Sequence, residues 1–256
     1  MHQPVPLSVG AEFVDVGILT KGKPTLGMTL VTLLLQEGVR IRVHLVDTSD
    51  RPVIKRDDVL FALKLAQDRG VICEYEYSKE RQRAFSAGRL RLLESLKGPH
   101  TCFLDDDIVL PSTTFARLAA TVFGGGEYGY VAPLCVNAGA SRGFLSDRPH
   151  YSPGGIFYQD DLVRSILLEY YSTTVDVLDA RNSSEKVWEL AFLAELFPAL
   201  GRQTRVMDES LSYHLDYHRG MRWELTEERL MMRSRAKVTE LVGKHRAALL
   251  ADSNVG

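Results

Sequence analysis

The sequence predicts an α/β fold: a mostly parallel central sheet flanked by helices, with a C-terminal helical extension. Three observations carry this. Apolar runs at 13–19, 39–47, 71–77 and 100–104 have strand length, and segments of helical length separate them. Those separators are too long for hairpin turns, so consecutive strands are joined by crossovers and run parallel. A charged segment of helical composition, roughly 224–250, closes the chain.

Taken in order, "FVDVGIL" (13–19) reads as a buried strand that "TKGKP" breaks. "TLGMTLVTLLLQEG" reads as a helix with Thr25 as N-cap and Gly38 as its stop. The strand "VRIRVHLVD", the turn "TSDRP", the helix "RDDVLFALKLAQDRG" and the strand "VICEYEY" follow. "SKERQRAFSAGRLRLLESLKG", capped by Ser78, is a helix, and "HTCFL" is a fourth strand ending in Asp105, Asp106 and Asp107. Beyond "TFARLAATVFG", a helix, come the strand "YGYVAPLCV", a polar loop to residue 153, the strand "GIFYQ" and two helices from "DDLVRSILLEYY" and "SEKVWELAFLAELFPAL". "RQTRVMD" is a short strand, and 209–223 reads as loop. The core pattern gives way near residue 220, so the expected units are 1–220 and 221–256.

Composition narrows the function. The 256 residues are 45% hydrophobic and 25% charged, as in an ordinary globular chain, and a net charge of −2 argues against a nucleic-acid partner. Cys73, Cys102 and Cys135 lie in or beside apolar runs without metal-type spacing, which fits reduced thiols in the cytoplasm. No apolar run approaches the roughly 18 residues of a membrane span, and "MHQPVPLSVGAEF" lacks the order of a signal peptide.

Ligands of parallel sheets bind at the carboxyl ends of the strands, where Asp105–Asp107 stand. Three adjacent carboxylates repel one another, and Mn²⁺ or Mg²⁺ with oxygen ligands would offset that repulsion. In an extended segment alternate side chains share a face, so Asp105 and Asp107 are expected to point together and Asp106 away.

The apolar strand ending in Asp-x-Asp resembles the nucleotide-sugar and metal signature of GT-A fold glycosyltransferases, and family 2 in particular. "VGILTKGKP" resembles that family's first strand and loop, and "VHLVDTSD" its second strand. "AFSAGRLRLLESLKGPHTCFLDDDIVLP" and "GGIFYQDDLV" resemble its later stretches in the same order, so the likeness covers about residues 13–215. It implies that 1–220 binds a nucleotide diphosphate sugar and transfers the sugar to an acceptor hydroxyl, with inversion. It implies nucleotide-sugar contacts from Thr20, Asp47, Arg89, Asp105 and Asp106, and metal contacts from Asp107 and from His214 or His218 in "YHLDYH". Leu90 stands where the family has Asn. The catalytic base of the family falls on Glu189, with Glu185 as the second choice, although Leu190 replaces the Asp that normally follows.

Two other readings share these letters. "FLDDDIVL" also resembles the motif of haloacid-dehalogenase-like phosphatases, with Asp105 as nucleophile and Asp107 as acid/base, but three strands precede it here. A non-catalytic nucleotide-sugar-binding module is the third reading. The terminal helix, with an apolar side at Leu225, Leu230, Met231, Val238, Leu241 and Leu249, reads as a docking or homodimer-forming helix. Its basic residues make peripheral membrane contact, suited to a lipid-linked acceptor, the alternative.

Overall fold

The computed structural model describes residues 13–78, 85–123, 127–137, 153–179, 189–215 and 227–253. Among them lie eight strands: β1 (Phe13–Thr20), β2 (Arg40–Asp47), β3 (Ile72–Tyr77), β4 (His100–Asp105), β5 (Ile108–Val109), β6 (Tyr128–Asn137), β7 (Ile156–Tyr158) and β8 (Gln203–His214). The helices are α1 (Leu26–Leu34), α2 (Asp57–Asp68), α3 (Phe85–Ser95), α4 (Thr114–Phe123), α5 (Asp161–Asp179), α6 (Glu189–Ala199) and α7 (Glu227–Ser253).

One sheet holds all eight strands in the order β3-β2-β1-β4-β7-β6-β8-β5. The first four are parallel, as the crossovers require, and their register pairs Thr20 with Asp47, Asp47 with Tyr77 and Leu19 with Asp105. These carboxyl ends therefore form one level edge. Beyond β4 the sheet is mixed: β7 is antiparallel to β4 and β6, β8 is parallel to β6, and β5 is antiparallel to β8.

Period-two alternation sends Val14, Val16 and Ile18 to one face of the sheet, where Leu26, Leu30 and Leu33 of α1 and Val59 and Ala62 of α2 join them in one core cluster. The other face packs under α3, α5, α6 and α7 around Leu92, Leu96, Phe103, Phe157, Tyr171 and Phe197. Gly17 faces that side because α3 runs close: a Cβ there would lie 2.8 Å from Leu96 Cδ1. At the opposite end of β1 the fully buried Asp15 accepts from Arg42 Nε (2.6 Å), Arg42 Nη2 (2.9 Å) and the Gly98 amide (2.7 Å), which satisfies its charge.

Three local readings change. α1 ends at Leu34, short of Gly38. Thr25 makes no side-chain cap, and its hydroxyl instead donates to the Asp106 carbonyl at 3.0 Å. Residues 209–214 belong to β8 rather than to a loop, because Leu211–His214 pair with Leu134–Asn137 of β6 and with β5. Backbone pairing there outweighs a mostly polar composition, while Ser210 and Ser212 fill buried positions.

The α7 helix buries Val238, Leu241 and Val242 in the cluster shared with α3, α5 and α6, while Leu249, read from the sequence as part of its apolar side, is exposed. Arg235 pairs with Glu195 of α6 (2.9 Å), and Lys244 and His245 reach Glu169 of α5 at 2.6 and 3.0 Å. Among the described residues no helix is long and apolar enough to cross a membrane.

Candidate active site

The aspartates lie at the carboxyl end of β4, beside the loop that leaves β1. Strand geometry stops at Asp105, and Asp106 and Asp107 form a turn before β5. Strict alternation therefore does not govern their directions. Asp105 accepts from Arg89 Nη2 at 3.3 Å, and its side chain is 43% exposed. Asp106 and Asp107 instead share Lys23, whose Nζ is 2.5 Å from Asp107 Oδ2 and 3.9 Å from Asp106 Oδ1.

The loop carrying Lys23 is held from below. Arg56 donates to the carbonyls of Gly22 (3.0 Å), Lys23 (2.6 Å) and Pro24 (3.0 Å), and Asp58 fixes Arg56 in turn. Gly22 sits at φ +86°, in the left-handed region that a side chain would strain.

Thr20 is buried and donates to Asp106 Oδ2 at 2.6 Å while accepting from the Gly22 amide at 2.9 Å. It braces the aspartate turn from β1. Burial pushes the Asp106 carboxyl above the usual range, and the Thr20 hydrogen bond and Lys23 only partly oppose this.

Asp47 is on the same edge, yet its carboxylate is saturated. Oδ1 accepts from Ser49 N (2.9 Å) and Ser49 Oγ (2.5 Å), and Oδ2 from Val53 N (2.7 Å) and Tyr75 Oη (2.7 Å). A carboxylate has about four lone-pair sites, and all are used. Asp47→Ala is expected to cost about 1–3 kcal/mol in urea unfolding, since it strands the buried Val53 amide and takes an acceptor from the half-buried Ser49 and Tyr75; no measurable loss would contradict this role.

Asp107 is 1% exposed. Its Oδ2 also faces His214 Nε2 at 3.1 Å, and the Leu215 amide donates to its carbonyl at 2.9 Å. Its Oδ1 is buried and has no hydrogen-bond partner. Burial alone would raise the Asp107 carboxyl, but His214 and Lys23 outweigh it and hold the group below the usual carboxylate range. Burial disfavours protonated His214, yet Asp107 and Asp105 raise it on balance.

On the opposite side, Arg89 of α3 is 1% exposed. It grips Glu189, the first residue of α6, with Nε (2.9 Å) and Nη2 (3.0 Å), between the rings of Phe85 and Phe103 at 4.6 and 4.7 Å. Burial opposes its charge, but Glu189 and Asp105 more than compensate, so the guanidinium stays protonated. Tyr171 donates to Glu189 Oε1, and burial with the Glu189 charge keeps that phenol protonated. Glu189 thus enters the site through Arg89 rather than as an open carboxylate.

The fold brings Thr20, Asp47, Arg89, Asp105, Asp106, Asp107, Glu189 and His214 to one edge of the sheet. Glu185, His218 and the 138–152 loop lie outside the described residues. Sequence reasoning passes over Lys23, Arg56, Tyr75 and Tyr171. Lys23 has a visible signal, a basic residue in the first strand's loop; for the other three the signal is tertiary.

No family model matches the sequence, and no curated protein does. Solved structures do match. TarS from S. aureus superposes with a TM-score of 0.56 at 14% identity, over 80% of this chain and 36% of that one. TarS 1–349 with UDP-GlcNAc gives 0.57 at 12% identity over 91% and 66%. The mannosyltransferase PcManGT from Pyrobaculum calidifontis, with GDP-Man and Mn²⁺, gives 0.55 at 14% identity over 99% and 80%. The chain has the GT-A-like fold of these glycosyltransferases. It spans just over a third of the full TarS structure.

Asp107 and His214 are the described side chains that could hold a divalent cation here. Asp107 Oδ1 is buried and without a partner, and His214 lies beside the same carboxylate. Among the described residues no cluster of three or more ligating side chains forms, so water and donor oxygens would complete the coordination, as Mg²⁺ commonly arranges.

Proposed function

We propose that the chain is a glycosyltransferase that binds a nucleotide diphosphate sugar at the carboxyl edge of β1–β4 and transfers the sugar to an acceptor hydroxyl. The observation that carries this is Asp107, a buried carboxylate beside Lys23 and His214 with one oxygen unpartnered, at that edge of a GT-A-like sheet. The UDP-GlcNAc and GDP-Man bound in the matching structures support the donor class.

In the reaction the acceptor oxygen bonds to the anomeric carbon, the bond from that carbon to the diphosphate breaks with the electron pair leaving on the diphosphate, and the acceptor hydroxyl gives up its proton to water. Asp107 and His214 would hold Mn²⁺ or Mg²⁺, which supplies positive charge to the leaving diphosphate. Asp105, the half-open carboxylate, faces the donor, and Arg89 fixes its direction. The oxygens of Glu189 serve Arg89 and Tyr171, so we assign Glu189 to positioning rather than to accepting the acceptor's proton. Inversion, which the family 2 likeness implies, stays part of this reading, as does a cytoplasmic setting.

Thermal-shift titration with UDP- and GDP-sugars, with and without Mn²⁺, tests the reading. A donor at about 100 times its Kd stabilises by about 2.7 kcal/mol. If no nucleotide sugar stabilises the chain under any cation, the reading fails. Donor binding without transfer or donor hydrolysis would point to the binding module. Hydrolysis of a phosphate ester without any sugar nucleotide would point to the phosphatase.

A further inference from the structure

We propose that Lys23 is an internal cation that occupies Asp107 and must leave it before a divalent ion can bind. The inference rests on the reading of this edge as a donor and cation site. Asp107 is almost fully buried and follows two other aspartates, and a carboxylate so placed needs a positive partner. Lys23 supplies it at 2.5 Å and spans to Asp106 at 3.9 Å. The backbone beneath Lys23 is firmly anchored, since Arg56 holds three consecutive carbonyls and Gly22 makes the turn at φ +86°. The side chain itself is 38% exposed, and a four-carbon stem can swing while its backbone stays fixed.

The ammonium and a divalent ion want the same group. The unpartnered Oδ1 belongs to the carboxylate whose Oδ2 Lys23 holds, so simultaneous occupancy would force two cations to within a few ångströms of each other. Asp107 is therefore open to a metal only in the fraction of molecules whose Lys23 has swung away, and the apparent affinity falls by that fraction. Once displaced, the ammonium sits on the β1–α1 loop at the rim where an anionic diphosphate would lie.

Mn²⁺ alone is the probe, titrated into the full chain with free Mn²⁺ followed by electron paramagnetic resonance. Lys23→Met is expected to bind Mn²⁺ about tenfold more tightly than wild type, and Lys23→Arg like wild type. Without cation, Lys23→Met is expected to melt below wild type, and Mn²⁺ to raise its Tm more. Lys23→Gln, checked by circular dichroism, gives the same reading should Lys23→Met misfold. Equal or weaker Mn²⁺ binding in Lys23→Met and Lys23→Gln overturns the inference. If in that case wild type binds Mn²⁺ and Asp107→Asn does not, the metal site stands and only the role of Lys23 is removed. If neither wild type nor the Lys23 variants bind Mn²⁺, both fall.

Discussion

Replacing Glu189 with alanine is expected to destabilise the chain by about 3–5 kcal/mol, because it leaves a buried guanidinium without its main partner. Arg89 is 1% exposed, and both of its engaged nitrogens bond Glu189, whereas Asp105 contributes one longer contact at 3.3 Å. Water cannot replace the lost carboxylate at that depth. For a chain of this size the loss corresponds to a Tm drop on the order of 10 °C, read by calorimetry or urea unfolding. Glu189→Gln, which keeps an acceptor for Arg89, should lose less. The double variant Arg89→Met with Glu189→Leu should lose less than the two single losses added, because no stranded charge remains. A change below about 0.5 kcal/mol in Glu189→Ala would mean that the buried pair contributes little to folding. The same variants separate positioning from proton transfer: Glu189→Gln with wild-type Tm and donor affinity but turnover reduced about 10³-fold would make Glu189 the base after all.

Asp107→Asn is expected to lower turnover by about 10²- to 10³-fold and to lower Tm as well, since it removes the charge that pairs with Lys23 and His214. The amide keeps the shape and one acceptor for Lys23, so the turn survives, while the negative charge that would hold a cation is gone. Asp106→Asn makes the contrast. Asp106 carries a charge that burial opposes, and Asn keeps an acceptor for Thr20, so Asp106→Asn should change stability less than Asp107→Asn and have only a modest rate effect. Steady-state transfer assays on both variants, each with its Tm, decide between them. Unchanged turnover in Asp107→Asn would sink the assignment of the cation to Asp107.

The parallel half of the fold is legible in the sequence because its signals are local. Apolar runs of strand length, separated by helical segments, specify β1–β4 and their common direction, and Asp47 and Asp105 do stand at strand ends. β8 is not legible beyond Asp208: "ESLSYH" is mostly polar, and only pairing with β6 and β5 makes it a strand. The directions of the three aspartates escape for a related reason, since alternation applies only while the chain stays extended, and it turns after Asp105. Glu189 can be reached by counting back from Gly201, but its commitment to Arg89 depends on a contact between residues 100 apart in sequence. Asp47 likewise shows its four donors only in three dimensions.

His214 meets Asp107 across 107 positions of chain. That closure, and the short β5–β8 ladder beside it, are contacts that an emerging polypeptide cannot make until its last strand has been synthesised. Such long loops close late, because their entropy is spent before any contact repays it. A fragment ending before residue 203 would carry all three aspartates and the four parallel strands, yet lack the histidine side of the site. If the proposed reading holds, binding at this edge arrives only with completion of the sheet, and a fragment ending before residue 203 is expected to bind no donor.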